Sequence, residues 1–366
     1  MRIIQTCKFF PPSITGGSIH VYNLSKNLVM RGHEVDVYTH FRENTKRFED
    51  VEGIMVHTVP NSFLEFKLFR ELIKEDFDIL HTHAIWSHVP PSFFASKMKR
   101  RKIIITPHNT WNFIERSWSY ILYYHTLWKW IVKHASAVIA LNPEEVKTLQ
   151  KLKVKQEKIQ IIPNAIDSTK FRPINSDIIR QKYGLEGTII LFVGSSSLHK
   201  GVHILFKSVT NILKSYSNLY LIFVGKVHAN DIINFVKEYK INNNVLFLGH
   251  ISPDEMPYFY SSADIFVLPS FSEGMPTALL EAMACGLPSI GTNVGGIKEV
   301  IEDMKTGILV DPGNSDQLAE KIKLLLSDEN LRRRLGENGR KKVLKNYTWE
   351  KVTDQIENLY KKVMED

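Results

Sequence analysis

Short apolar runs alternate with stretches of helical spacing along the whole chain. "RIIQTCKF" reads as a strand and is followed by a Gly-Gly loop; in "SIHVYNLSKNLVMRG" the residues Val21, Leu24 and Leu28 then fall on one helical face. Gly32 stands where a helix C-terminus needs a residue that turns left-handed. "HEVDVYT" returns as a strand, and "IMVHTV", "DILHTH", "KIIITPH" and "AVIALN" continue the series. A second series begins after residue 170 with "TIILFVG", "LYLIFVG", "NVLFLG", "DIFVLPS", "LPSIGT" and "GILVDP". Such alternation is the pattern of parallel sheets with crossover helices. Two series in tandem predict two doubly wound α/β units with a cleft between them, where ligands sit beyond the carboxyl ends of the strands. The join falls near "IIPNAIDSTKFRP", whose prolines and polar residues interrupt both series.

At 366 residues the chain has room for two domains, and 43% apolar with 23% charged residues describes a soluble globular protein. Cys7 and Cys285 are its only cysteines, which argues against a disulfide framework and for a reducing compartment. "MRIIQTCKFF" lacks the features of a signal peptide, and no apolar run is long enough to span a bilayer. A cytoplasmic location is therefore expected. The net charge of +8 invites an anionic partner: nucleic acid, a membrane surface or a phosphorylated ligand.

Chemistry concentrates in "SFSEGMPTALLEAMACGLPSIGT". Pro276 suits the first turn of a helix, the residues from Ala278 to Ala284 favour that helix, and Gly286 ends it before Pro288. The spacing predicts a helix from about residue 276, with free N–H groups and the positive dipole end forming an anion site suited to phosphate. Glu273 sits in the loop before it, and Glu281 follows roughly 7 to 8 Å along the axis, at about 1.5 Å per residue. A carboxylate can accept two hydrogen bonds from a ribose diol, and one beside a phosphate can hold sugar hydroxyls. The plain alternative is two surface glutamates. Against it, Leu279, Leu280, Ala282 and Met283 leave little exposed helix face, and a buried glutamate needs a partner.

"EGMPTALLEAMACGLPSIGTNVGGIKEVI" resembles the signature of the retaining glycosyltransferases of family 4, which have the GT-B fold of two facing Rossmann-like domains. The resemblance runs nearly end to end, through "FPPSITGGSIHVYNLSKNLVMRGHEVDVYT", "IPNAID", "FVGSSSLHKGVHILFKSV" and a closing "YTWEKVTDQIENLY". It implies an N-terminal, acceptor-side domain of residues 1–165 completed by the helix at 348–366, and a donor-binding domain of residues 166–347. It also implies that Glu273 contacts the donor sugar and Glu281 the ribose, and that Met275, Pro276 and Thr277 form the turn against sugar and phosphate. Lys200, in "HKG", would neutralise the diphosphate after the strand glycine Gly194. Gly16 and Gly17 would let backbone approach the donor phosphate or the acceptor. His108 would reach the sugar from the other domain, and Asn164 would lie on the hinge side. One departure stands out. Family members often carry an arginine where this chain has Ser195, and a hydroxyl cannot replace a guanidinium. Either Lys200 works with backbone N–H groups, or another cation such as His199, Lys226 or Arg116 contributes.

Other signals carry less. "DFD" at Asp76–Asp78 mimics a metal-binding pair but precedes its strand, away from the expected cleft. In "HTH" the side chains of His81 and His83 point to one face, with no further ligand evident; with His88 they read as one core or cleft histidine plus surface ones. "KMKRRK" at 97–102 reads first as a solvated basic patch and second as a site for anionic headgroups. In the aromatic segment after it, Trp111, Trp118, Ile121, Leu122, His125 and Trp128 approximate one helical stripe, packed on the N-terminal domain, set at a membrane interface or stacked on sugars. The expected activity is retaining transfer from a nucleotide-diphosphate sugar to a glycan or lipid-linked acceptor. No metal or other cofactor and no nucleic-acid partner are expected; an anionic membrane surface is a further candidate partner. The rivals are a GT-B sugar-nucleotide epimerase or hydrolase, and a non-catalytic basic binding protein.

Overall fold

The computed structural model describes residues 1–11, 16–40, 46–59, 64–84, 87–108, 118–227, 237–239 and 244–365. Trp111 and Arg116 lie outside them. The chain divides into two compact units, 1–164 with 349–366 and 165–348.

The first unit runs β1 (Arg2–Cys7), α1 (Gly16–Met30), β2 (Glu34–His40), β3 (Phe48–Val51), β4 (Ile54–Val59), α2 (Leu64–Leu72), β5 (Ile79–His83), α3 (Val89–Met98), β6 (Lys102–Thr106), α4 (Trp118–Tyr123), a π-helix (Tyr124–Trp128), α5 (Lys129–His134), β7 (Ala137–Ala140), α6 (Pro143–Lys151) and β8 (Ile159–Ile161). Its sheet has the order β3-β4-β2-β1-β5-β6-β7-β8, parallel except for the β3–β4 hairpin. The predicted helical face of α1 is buried through Val21, Leu24 and Leu28, and Gly32 adopts φ 82 where the chain leaves the helix. The short outer strands β3 and β8 have too few apolar positions to be legible beforehand.

The second unit runs α7 (Ile178–Tyr183), β9 (Thr188–Val193), α8 (Val202–Leu213), β10 (Leu219–Val224), β11 (Val245–Gly249), α9 (Met256–Ser262), β12 (Ile265–Leu268), α10 (Thr277–Ala284), β13 (Ser289–Thr292), α11 (Gly295–Val300), β14 (Ile308–Val310), α12 (Ser315–Ser327) and α13 (Glu329–Asn346). Its parallel sheet has the order β11-β10-β9-β12-β13-β14. The last helix, α14 (Trp349–Glu365), belongs to the first unit. There Arg31 pairs with Asp354 and Glu357, and the Tyr360 hydroxyl and His81 Nδ1 lie 2.7 Å apart.

One expectation changes. The aromatic stripe is not one face: Trp118 is 86% and Leu122 66% exposed, whereas Trp128 is fully buried beside Tyr124, Ile131 and Val132. The π-helix accounts for this, because its i→i+5 bonding breaks the period on which the stripe was counted. In "DFD", Asp78 accepts from the Arg2 backbone N–H at 2.8 Å and Asp76 pairs with Arg101 at 2.8 Å, so both carboxylates are engaged within the fold. Both cysteines are buried free thiols, and among the described residues no helix is long and apolar enough to cross a membrane.

Helix α6 shows how local sequence secures an element. Asn142 accepts from the N–H groups of Glu144 and Glu145, and Glu145 reaches back to the Leu141 N–H at 2.8 Å, a reciprocal cap. Glu145 is fully buried, and burial raises its pKa from 4.5 to about 7. The folded state therefore holds a proton that the unfolded state releases, so this group loses stability as pH rises from about 4.5 to about 7. Glu145→Gln keeps the acceptor without the charge. Its stability relative to the natural protein should improve between pH 5 and pH 8, by about 3 kcal/mol at most at about 1.4 kcal/mol per pKa unit. Chemical denaturation at the two pH values checks this; an unchanged difference would refute it.

Candidate functional site

Parallel strands place all their carboxyl ends at one edge. In the second unit the chain leaves β9 for β10 and β11 on one side, then returns to β12, β13 and β14 on the other. The loops after β9 and β12 therefore flank the topological switch point, the place where sheets of this kind bind ligands. Lys200 lies on the first loop and Glu273 on the second. Lys200 Nζ donates to Glu273 Oε1 at 2.6 Å, and Ser270 Oγ donates to the same oxygen at 2.7 Å. The lysine side chain is 22% exposed and the glutamate 10%, so the pair is reachable yet mostly sheltered.

Backbone packing holds these loops. A Cβ on Gly201 would collide with the Pro269 carbonyl, one on Gly225 with the Gly194 carbonyl, one on Gly295 with the Glu273 carbonyl and one on Gly296 with the Gly274 carbonyl. Hydrogen bonds follow the same contacts: Phe271 N–H to His199 O at 2.8 Å, Gly194 N–H to Val224 O at 2.9 Å, and Gly296 N–H to Glu273 O at 3.0 Å.

Helix α10 starts one residue later than expected. Pro276 is its N-cap, in extended conformation, and Thr277 is the first helical residue, with no side chain capping the end. The shift arises because the chain must still be extended at Pro276 to leave the packed Glu273–Met275 turn. Met275 is buried. Gly286 ends the helix with φ 77, as its position implied. Glu281 has the partner that a sheltered carboxylate requires: the Tyr260 hydroxyl donates to its Oε2 at 2.8 Å. Burial pushes the Glu281 carboxyl up to about 7, partly offset by that bond and by Lys170. The reading of both glutamates as plain surface residues is therefore set aside. At the position of the missing arginine, Ser195 Oγ lies 2.6 Å from Ser197 Oγ, and the Ser196 N–H donates to the Lys226 carbonyl at 2.9 Å. Lys226 thus stands on the neighbouring loop, exposed, with its backbone against Ser196.

The other candidates belong to the first unit. Gly16 and Gly17 open α1, both exposed, and a Cβ on either meets nothing within 4 Å. No described protein contact demands glycine there. Asn164 is buried at the unit boundary. His108 follows β6 with φ 60, a left-handed backbone that side chains other than glycine rarely adopt. Its Nε2 lies 3.0 Å from His83 Nδ1, and His83 Nε2 is bonded to Gln5 Oε1 at 2.8 Å. His20, from α1, packs its ring 4.7 Å from that of His108.

This corrects the surface placement of the histidines, since His81, His83 and His88 are all buried. "HTH" did put two rings on one face; residues 20 and 108 are too distant in sequence for spacing to reveal them. Burial, reinforced for His20 and His83 by neighbouring histidines, holds all of these imidazoles neutral, with His81 and His88 lowered to about 3 and His108 to about 4. His20, His83 and His108 each offer a ring nitrogen within 4.8 Å of the others, the only such group among the described residues. An all-imidazole set suits zinc or copper, not the oxygen-seeking cations that bridge diphosphates. Uncharged rings are also ready donors and acceptors for hydroxyl groups.

Two family models match the chain: "Glycosyltransferase Family 4" over residues 14–170 and "Glycosyl transferases group 1" over residues 175–342. The chain is 28% identical to N-acetyl-alpha-D-glucosaminyl L-malate synthase of Bacillus anthracis, covering 100% of this chain and 98% of that one. Sucrose-phosphate synthase from Thermosynechococcus elongatus has a similar fold, with TM-score 0.85, 24% identity and 99% and 98% of the two chains covered. Anabaena HepE, solved in complex with UDP and glucose, superposes with TM-score 0.85 at 19% identity over 99% and 100% of the chains. The architecture is GT-B, with two Rossmann-like α/β domains.

Gly295→Ala tests the backbone packing. At φ +43 and against the Glu273 carbonyl, a methyl group must push the Glu273 loop away from Lys200. A stability loss of roughly 1–3 kcal/mol is expected, together with a Lys200–Glu273 pair displaced in a crystal structure of the variant. An unshifted loop and an unchanged melting temperature would show that the packing does not hold the pair.

Proposed function

The chain belongs to glycosyltransferase family 4, and from that premise we propose that it transfers a sugar, with retention of configuration, from a nucleotide-diphosphate sugar to a hydroxyl-bearing glycan or lipid-linked acceptor. The observation that carries this reading is the Lys200–Glu273 pair at the switch point, with Glu281 set further along the helix that follows. A donor would lay its diphosphate against Lys200 and the uncapped start of α10, where a lysine charge and helix N–H groups both favour phosphate. Glu281 would accept from the ribose diol, and Glu273 would hold sugar hydroxyls, sharing Lys200 with the diphosphate. Met275, Pro276 and Thr277 would form the turn against sugar and phosphate, and Gly194 and Ser195 the opposite loop, with Lys226 supplying charge in place of the absent arginine. Gly16 and Gly17 would admit a phosphate or the acceptor close to backbone, and neutral His108 would bond a sugar hydroxyl.

In the reaction the bond from the anomeric carbon to the diphosphate breaks, and its electron pair leaves with the nucleotide diphosphate. The acceptor oxygen forms its bond on the same face, and its proton passes to the departing phosphate oxygen. Glu273 is tied to Lys200 and Ser270, an arrangement that suits positioning better than nucleophilic attack. Lys200 meets charge that grows as the bond breaks, so the reaction needs no metal.

HepE was solved with UDP and glucose, and the malate synthase is named for N-acetylglucosamine, so UDP-linked forms of these sugars lead the donor panel. Release of nucleotide diphosphate together with a glycosylated product, undiminished by EDTA, is the expected result. Release without product would mean hydrolysis. Lys200→Gln should lower kcat by about 100-fold, the scale of removing one electrostatic stabiliser. Glu281→Gln should chiefly raise the donor KM, because the ribose contact is made equally in ground and transition states. Only ionised Glu281 accepts both ribose hydrogens. Donor KM should therefore rise as pH falls below about 7, and this dependence should vanish in the variant. Wild-type kcat and KM in both variants would show that the donor site is misassigned.

A further inference from the structure

The amino ends of the first unit's strands carry a second, quite different group of side chains. Lys102 opens β6, Ala137 opens β7 and Lys158 immediately precedes β8, so in a parallel sheet all three lie at the edge opposite His108. A cavity of about 530 Å³ lies there, lined by Lys97, Lys102, His134, Lys158 and Lys362, with Glu157 as its only acid. Glu157 pairs with Lys155 at 3.3 Å, so the lining has a clear positive excess.

The basic run "KMKRRK" is divided by the fold. Lys99 donates to the Ile73 carbonyl at 3.1 Å and Arg101 pairs with Asp76, whereas Lys97 and Lys102 line the cavity. Lys158 is fixed by donating to the carbonyls of Lys133 and Ala135 at 3.1 and 2.9 Å. Burial, then the proximity of Lys158 and Lys102, lowers the Lys97 pKa.

Aromatic rings adjoin this group. Lys97 Nζ sits 5.3 Å from the Phe93 ring, Phe93 packs on Trp130, and Trp130 lies 4.8 Å from His134. Phe94 and Trp130 are 43% and 45% exposed, and Met98 is 68% exposed.

We propose that this cavity binds the phosphate of an anionic phospholipid headgroup, with Phe94, Met98 and Trp130 resting at the bilayer interface. Converging lysines match a phosphate, and amphipathic rings beside them match the headgroup level of a membrane. The site concerns the first unit alone and stands whether or not the transfer reading holds.

The test uses the full chain with phosphatidylcholine vesicles, with and without phosphatidic acid, and calorimetry with inorganic phosphate. Variants are the double Lys97→Gln with Lys362→Gln, and Arg100→Gln from the same basic run but outside the cavity lining; unchanged melting curves confirm folding. Binding to the acidic vesicles should weaken roughly 30-fold in the double variant, at about 1 kcal/mol per charge, and stay near the natural value in Arg100→Gln. Binding of inorganic phosphate without vesicle binding, lost in the double variant, would keep the phosphate site but give it a soluble ligand. Equal weakening in both variants would reduce the cavity to general surface charge and overturn the proposal. So would the absence of binding to either probe.

Discussion

A parallel sheet sends every strand the same way, so loops that follow strands gather at one edge and those that precede them at the other. This constraint governs the whole molecule. In the second unit it brings the loops after β9 and β12 together at the point where strand order reverses, and there Lys200 meets Glu273. Four glycines let backbone touch backbone beneath that meeting point. A side chain at any of them would pry the loops apart, so the ion pair depends on backbone packing in which the two charged side chains take no part.

The two units use opposite electrostatic strategies at their carboxyl edges. The second offers a sheltered cation and carboxylates, one of them raised towards neutrality by burial. The first offers imidazoles stripped of charge by burial and bonded to one another and to Gln5, Thr106 and Tyr360. A charged group answers a phosphate. Neutral rings that both donate and accept answer hydroxyl groups, and they add no repulsion among themselves. The proposed transfer moves a sugar from an anionic leaving group to a hydroxyl-bearing acceptor, and each kind of surface would suit one of them.

Positive charge is distributed with similar economy. Arg31, Lys99 and Arg101 tie helices and connections of the first unit together, leaving Lys97, Lys102, Lys158 and Lys362 around one cavity at the amino edge. Net charge is thus a poor guide to partners until the structural cations have been set apart from the others.

The sequence alone determined the alternation of strands and helices, both sheets' long strands, the buried face of α1 and the end of α10 at Gly286. These follow from local period and backbone preference, which neighbouring residues suffice to express. It also marked Glu273 and Glu281, because a loop, a helix start and an apolar run leave a carboxylate few places to go; Lys200 was marked only by the resemblance to the glycosyltransferase family. Tertiary structure decided the rest. Only folding could pair Lys200 with Glu273, give Tyr260 to Glu281 and bring His20 to His83 and His108, since these partners are far apart along the chain. The π-helix hid in an apparently regular stripe, because a change of hydrogen-bond register leaves no mark on composition. The division of "KMKRRK" between structure and cavity was equally invisible. Which lysine finds an acid or a carbonyl depends on what the crossover helices carry past it, and no local pattern records that.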